Sequence, residues 1–166
     1  MTLLESRLVT TDIALDKAVS LKKFIFYDDL AFLLSRELKR GHDAVIHAAA
    51  VSDFRLATPF QGKLPSGRAL KLELVPTRKL LTAIRKADPR VFLVGFKLET
   101  RLARPFILRK VKSLFREAGC GLVVVNRQAA GRYEACLVEP SGKMSKKVFN
   151  KRSIVKVLAA KVDKII

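Results

Sequence analysis

The sequence predicts an α/β fold in which a mostly parallel sheet is covered by helices on both faces. Three observations lead there. Short apolar runs, notably VFLVGF (91–96) and GLVVVN (121–126), read as buried strands. Stretches with apolar residues at helical spacing alternate with them. Glycine, proline and capping residues punctuate the joints.

Taken in order, FIFY (24–27) suits a short buried strand, and Asp28 offers an N-cap whose carboxylate accepts from free amides. Leu30, Leu33, Leu34 and Leu38 then share a helical face, and Gly41 ends the run. DAVIHAAAV (43–51) is an apolar strand emptying into a polar loop that begins SDFR. The loop over 56–68 carries Pro59, Gly62, Pro65 and Gly67 and can be neither helix nor interior strand. Residues 70–75 alternate as a half-buried strand would. A short helix over 78–88 leads to VFLVGF. A longer helix places Ile107, Val111, Leu114, Phe115 and Ala118 on one face and stops at Gly119. After GLVVVN, YEACLVE and KKVF are joined by the turn signal PSG and predict a carboxyl-terminal antiparallel hairpin. Asn150 caps a last helix with Ile154, Leu158, Val162 and Ile165 facing inward. The expectation is a three-layer, Rossmann-like sheet forming one domain over residues 1–166.

Composition narrows the function classes. At 166 residues with 49% apolar side chains the chain can bury a sizeable core. No apolar run approaches the ~20 residues that cross a bilayer, and the start has no secretory pattern. Cys120 and Cys136 are too few for a disulfide framework and read as small buried thiols in a reducing compartment. A soluble, cytoplasmic protein is expected. The net charge of +18 predicts attraction for nucleotides, phosphorylated metabolites, RNA or an anionic surface without choosing among them. From Lys143 onward eight cations face Asp163 alone, yet only Phe149 interleaves with them, so no base-stacking platform is visible.

In open α/β sheets ligands gather beyond the carboxyl ends of strands, where helix amino-termini and loop amides converge. Three apolar strands here deliver polar residues to that edge: Ser52 and Asp53, Lys97 and Glu99, Asn126 and Arg127. Ala48, Ala49 and Ala50 leave room for a ligand against the backbone. Asp53 and Asn126 can equally be caps of the next loop or helix. Lys63, in the Gly/Pro-rich loop, could close over a phosphorylated ligand, or be an ordinary surface lysine. His42 and His47 give no support for a metal site or catalytic triad, and no metal ligand set is expected.

The motifs HAAAVSDF (47–54), GKLPSG (62–67), LELVPTRKLL (72–81), VGFKLET (94–100) and VVVN (123–126) together resemble phosphopantothenate–cysteine ligase, more closely its eukaryotic, free-standing type. The resemblance runs from about Phe24 to the last helix. It implies ligation of cysteine to 4′-phosphopantothenate, driven by ATP or CTP with magnesium, through an acyl-nucleotide intermediate. Carried over by motif, Ala49, Ala50, Asp53 and Phe96 would line the nucleotide site. Lys63 and Asn126 would be the catalytic residues, Lys63 engaging phosphates and the intermediate from its loop and Asn126 standing at the late strand end, and Lys63 and Arg132 would bind substrate. A homodimer is the implied assembly. Family members begin with a strand and a glycine-rich turn that nothing before Val9 matches. That keeps a non-catalytic subunit or regulator open as an alternative, and the net charge of +18 keeps open a basic module binding RNA or another polyanion.

Overall fold

The computed structural model describes residues 1–9, 14–64, 66–67 and 69–166. Pro65 and Arg68, part of the expected 56–68 loop, lie outside the described residues. Among the described residues the elements run β1 (Thr2–Ser6), β2 (Ser20–Phe24), α1 (Tyr27–Leu38), β3 (Ala44–His47), β4 (Phe54–Leu56), β5 (Leu74–Pro76), α2 (Leu80–Ala87), β6 (Phe92–Leu98), α3 (Arg104–Arg116), β7 (Leu122–Ala129), β8 (Arg132–Val138) and α4 (Lys151–Val162).

The central sheet has the order β3-β6-β7-β8. β3, β6 and β7 are parallel, and β8 returns antiparallel to β7. The valine run explains its position. Val123 and Val125 pack on the face that meets α1, α2 and α3, whereas Leu122 and Val124 pack on the face that meets α4. All four are fully buried, as a strand covered on both faces requires. Ile107 of α3 and Ile84 of α2 are equally enclosed, each burial contributing roughly 2–3 kcal/mol. The expected α/β class, with helices on both faces, is therefore the observed one.

Several local expectations are corrected. The first parallel pair is β1 with β2, with Leu3 opposite Leu21; FIFY is not a strand beyond Phe24. The N-cap of α1 is Phe26, not Asp28, because the Asp29 carboxylate accepts from the amides of Ile25 and Phe26 at 3.1 and 2.9 Å. Residues 70–75 do not alternate into a core. Leu70, Leu72 and Leu74 are all exposed, and only Leu74–Pro76 pairs, antiparallel to β4. The antiparallel hairpin is β7–β8, turning through Ala130 and Gly131, both at positive φ. KKVF contributes only a bridge, Val148 opposite Ala135, after the PSG turn. Asn150 does cap α4, accepting from the Ser153 amide at 2.8 Å, but Ile165 lies past the helix and is exposed.

Candidate functional site

Beyond the carboxyl ends of β3 and β6 lies an open cleft of about 400 Å³. One wall is the segment leaving β3, with Ala49, Ala50, Ser52 and Asp53. The opposite wall is Phe96, Lys97 and Leu98 at the end of β6, and the amino-terminus of α2 with the preceding Thr77, Arg78 and Lys79 closes the side. The β4–β5 arm ties the segment leaving β3 to the approach to α2. Phe54 pairs with Pro76, the Thr77 amide donates to the Asp53 carbonyl at 2.9 Å, and the Thr77 hydroxyl donates to the Ser52 carbonyl at 2.6 Å. The Tyr27 hydroxyl ties the arm to α1 by donating to the Arg78 carbonyl at 2.6 Å.

This folding places Lys79 on Asp53, its ammonium donating to the carboxylate. The Lys79 hydrogen bond and charge, with the Lys97 charge behind them, hold the Asp53 carboxyl below the usual carboxylate range. Both side chains of the pair are about two-thirds exposed, so water screens the attraction and an incoming anion can compete for Lys79 at small cost. Lys97 also reaches Glu99, at 3.9 Å. The lining therefore carries Arg78, Lys79 and Lys97 against Asp53 and Glu117, one cation in excess, over small, apolar and backbone-rich walls, an arrangement suited to a flat group joined to phosphates.

Of the residues expected from sequence, Ala49, Ala50, Asp53 and Phe96 line this one cleft. Asn126 lies beside it: it pairs in register with Leu98, and its carbonyl accepts from the Glu99 amide at 2.9 Å. Lys63 is exposed in the loop between β4 and β5, outside the cleft lining. Arg132 is exposed at the far end of the β7–β8 hairpin, opposite Ala129, and is likewise outside the lining. Sequence reasoning missed Thr77, Arg78 and Lys79. The available signal was their position, a polar step between VP and the apolar start of α2.

His47 also lines the cleft, whereas the two cysteines behave as structural groups. Burial pushes the Cys120 thiol up to about 11 and raises that of Cys136, and both cysteines are enclosed. Burial also lowers the His47 imidazole, favouring its neutral form. Among the described residues no three His, Cys, Asp or Glu side chains converge as a metal site. None of the described helices is long and apolar enough to cross a membrane.

Fold and cleft together define an open-sheet α/β domain with a cationic site at its carboxyl edge. Residues 10–164 match the family described as DNA/pantothenate metabolism flavoprotein C-terminal domain, and the chain belongs to that family. Among curated proteins it is similar to the coenzyme A biosynthesis bifunctional protein CoaBC of Thermococcus kodakarensis, 35% identical over 143 residues. That match takes in 84% of this chain and 36% of the relative, so the chain spans about a third of that protein's length. Among solved structures it resembles the DNA/pantothenate metabolism flavoprotein from Streptococcus pneumoniae, with a TM-score of 0.82 at 19% identity over 98% of this chain and 80% of that one. It also resembles a Cab2 mutant in complex with phosphopantothenate-cysteine, with a TM-score of 0.65 at 24% identity over 88% of this chain and 53% of that one. At these identities the structural likenesses speak to the fold alone.

Proposed function

We propose that this domain carries out phosphopantothenate–cysteine ligation, using ATP or CTP. The observation that carries the reading is the convergence of Ala49, Ala50, Asp53 and Phe96 on one cleft, since Phe96 comes from a different motif and lies 43 positions beyond Asp53. Membership of the pantothenate-metabolism family and similarity to CoaBC support the same chemistry, and the fold is shared with a Cab2 mutant solved with phosphopantothenate-cysteine.

In this reading the 4′-phosphopantothenate carboxylate attacks the α-phosphate of the nucleotide, forming an acyl–phosphate bond and releasing pyrophosphate. The cysteine amine then attacks the acyl carbon; the nucleoside monophosphate leaves with the bonding pair, and the amine gives up a proton. The chain's task is to position the carboxylate and triphosphate and to offset charge. Ala49 and Ala50 admit the nucleoside against the backbone, and Phe96 packs against it. Lys79 and Lys97 attract phosphate oxygens, and Asp53 accepts from a nucleoside hydroxyl once Lys79 has moved to phosphate. Lys63 closes over the phosphates from the β4–β5 loop, while Asn126 and Arg132 act on the substrate side. Magnesium would be held chiefly by the triphosphate, with Asp53 the nearby carboxylate, because the described residues offer no acidic cage. The homodimer implied by the family resemblance and the cytoplasmic location expected from composition belong to the same proposal.

The test is pyrophosphate release from 4′-phosphopantothenate with ATP or CTP, magnesium and cysteine. The expected result is release that requires phosphopantothenate and falls at least about a hundredfold in Lys63→Ala, the scale of a lost charge-stabilising donor. Equal release without phosphopantothenate would reject the reading.

A further inference from the structure

From Arg101 to Arg116 six exposed cations stand on or just before α3, and the first carboxylate after them is Glu117. Arg109, Lys112 and Arg116 are three and four residues apart, so they form one stripe along the helix. With Ser113 and Glu117 they line a shallow, open cavity of about 530 Å³.

Elsewhere cations are answered by carboxylates: Lys22 and Arg40 by Glu37, Lys79 by Asp53, Lys161 by Glu139. Among the described residues Arg109, Lys112 and Arg116 have no carboxylate within ion-pair distance. Like charges at this spacing destabilise a helix. Phe106 nonetheless gathers them, with the charged groups of Arg101, Arg109 and Lys110 at 5.8, 5.7 and 5.5 Å from its ring centroid. Cations clustered at a cost to the free helix are a ready seat for several linked anions.

The course of the cavity selects the kind of polyanion. Ser113 and Glu117 also line the cleft beyond β3 and β6, so the two openings meet there. The cleft adds the small, apolar walls of Ala49, Ala50 and Phe96. A duplex cannot put a paired base between such walls, and an acidic peptide has no flat unit for them. An unpaired nucleotide at a strand end has one. From Arg109 to Arg116 the stripe runs about 10 Å, room for about three phosphates at a rise of ~3.4 Å per nucleotide.

We propose that this groove binds the end of a single-stranded nucleic acid, its terminal nucleotide in the cleft and the next phosphodiesters on Arg109, Lys112 and Arg116. Backbone charge and base shape carry the binding, with no reading of sequence. The inference rests on the cleft being a nucleoside seat, as the ligase reading also holds, but it requires no ligation. Strand and nucleoside triphosphate therefore compete.

The test is fluorescence anisotropy of the full chain with a labelled single strand of about 12 nucleotides, as RNA and as DNA. Arg109→Gln/Lys112→Gln/Arg116→Gln is compared with Lys151→Gln/Arg152→Gln/Lys156→Gln, which removes the same charge from exposed positions of α4. All six changes relieve like-charge repulsion at the surface, so both variants keep the fold. The expected result is binding at least about tenfold weaker in the α3 variant, with a salt slope shallower by about 2 for three lost phosphate contacts. The α4 variant should change by less than about threefold, and saturating ATP or CTP with magnesium should displace the strand. Preference for RNA or DNA then identifies the source of the strand. Equal losses in the two variants would show attraction by net charge alone and overturn the proposal. Equal affinity for a blunt duplex or for polyglutamate of matched charge would also overturn it, as would absence of binding or of displacement. Strand binding as described without pyrophosphate release would count against ligation alone, so the two readings are separable.

Discussion

Asp53 and Lys79 are 26 positions apart, yet the β4–β5 arm sets the ammonium on the carboxylate. Because the folded carboxyl is held below its ordinary value of 3.8, its contribution to stability is present above that value and is lost as pH falls through the depressed value. A titration of the Asp53 carboxyl by NMR should give a midpoint below 3.8, and Lys79→Met should move it upward. An unchanged midpoint in that variant would mean that the pair does not persist in solution. The cysteines offer a second check at this scale. With Cys120 raised to about 11 by burial, neither thiol should react with a disulfide reagent at pH 8 until the protein unfolds. Fast labelling of the folded chain would contradict the described core. The acid and the burial of both thiols were legible in the sequence. The cationic partner was not, because a lysine at a helix start has no local feature that distinguishes it from any surface lysine.

Among elements, strands buried on both faces were the most readable, since an uninterrupted run such as LVVV fits few other environments. β1 and β2 were not readable as a pair. SLKKF mixes charge with apolar residues, and its stability comes from neighbours far along the chain. Thr2, Lys22 and Arg40 all donate to the buried Glu37 carboxylate of α1, with Thr2 at 2.9 Å, and they lower its pKa to about 2. Its contribution is complete above the ordinary value of 4.5 and is lost as pH falls from there toward 2. Denaturant titrations should show wild type losing stability over that window while Glu37→Gln, less stable by about 1–2 kcal/mol at neutral pH, loses less. A parallel pH dependence in both proteins would show that Glu37 does not anchor β1 and β2. Arg85 plays a comparable part between α2 and the strands. Its guanidinium donates to the carbonyls of Pro89, Val91 and Gly119 at 2.6, 2.9 and 2.9 Å, linking the turn before β6 to the turn after α3. Arg85→Met should cost about 2–3 kcal/mol in denaturant unfolding, because the part-buried contacts to the Val91 and Gly119 carbonyls lose a charged donor. A change within about 0.5 kcal/mol would show that water replaces it.

For the whole molecule, the sequence indicated a sheet with helices on both faces and a ligand edge at its carboxyl end. It did not reveal that the sheet is divided, because edge pairing depends on which strands are neighbours in space. The net charge of +18 raises the local concentration of any polyanion, so salt-sensitive binding alone would not identify a ligand. Localisation of the bound ligand is more informative. The central claim is that the cleft between the ends of β3 and β6 is the nucleotide site. Its most direct test is a hydrogen-exchange footprint of the chain with magnesium and saturating ATP, then CTP, at moderate salt. The account predicts protection concentrated at residues 47–53, 77–82 and 96–98, lost in Phe96→Asp, with one nucleotide more effective than the other. Protection confined to the basic surfaces of α3 and α4, and insensitive to that substitution, would contradict it.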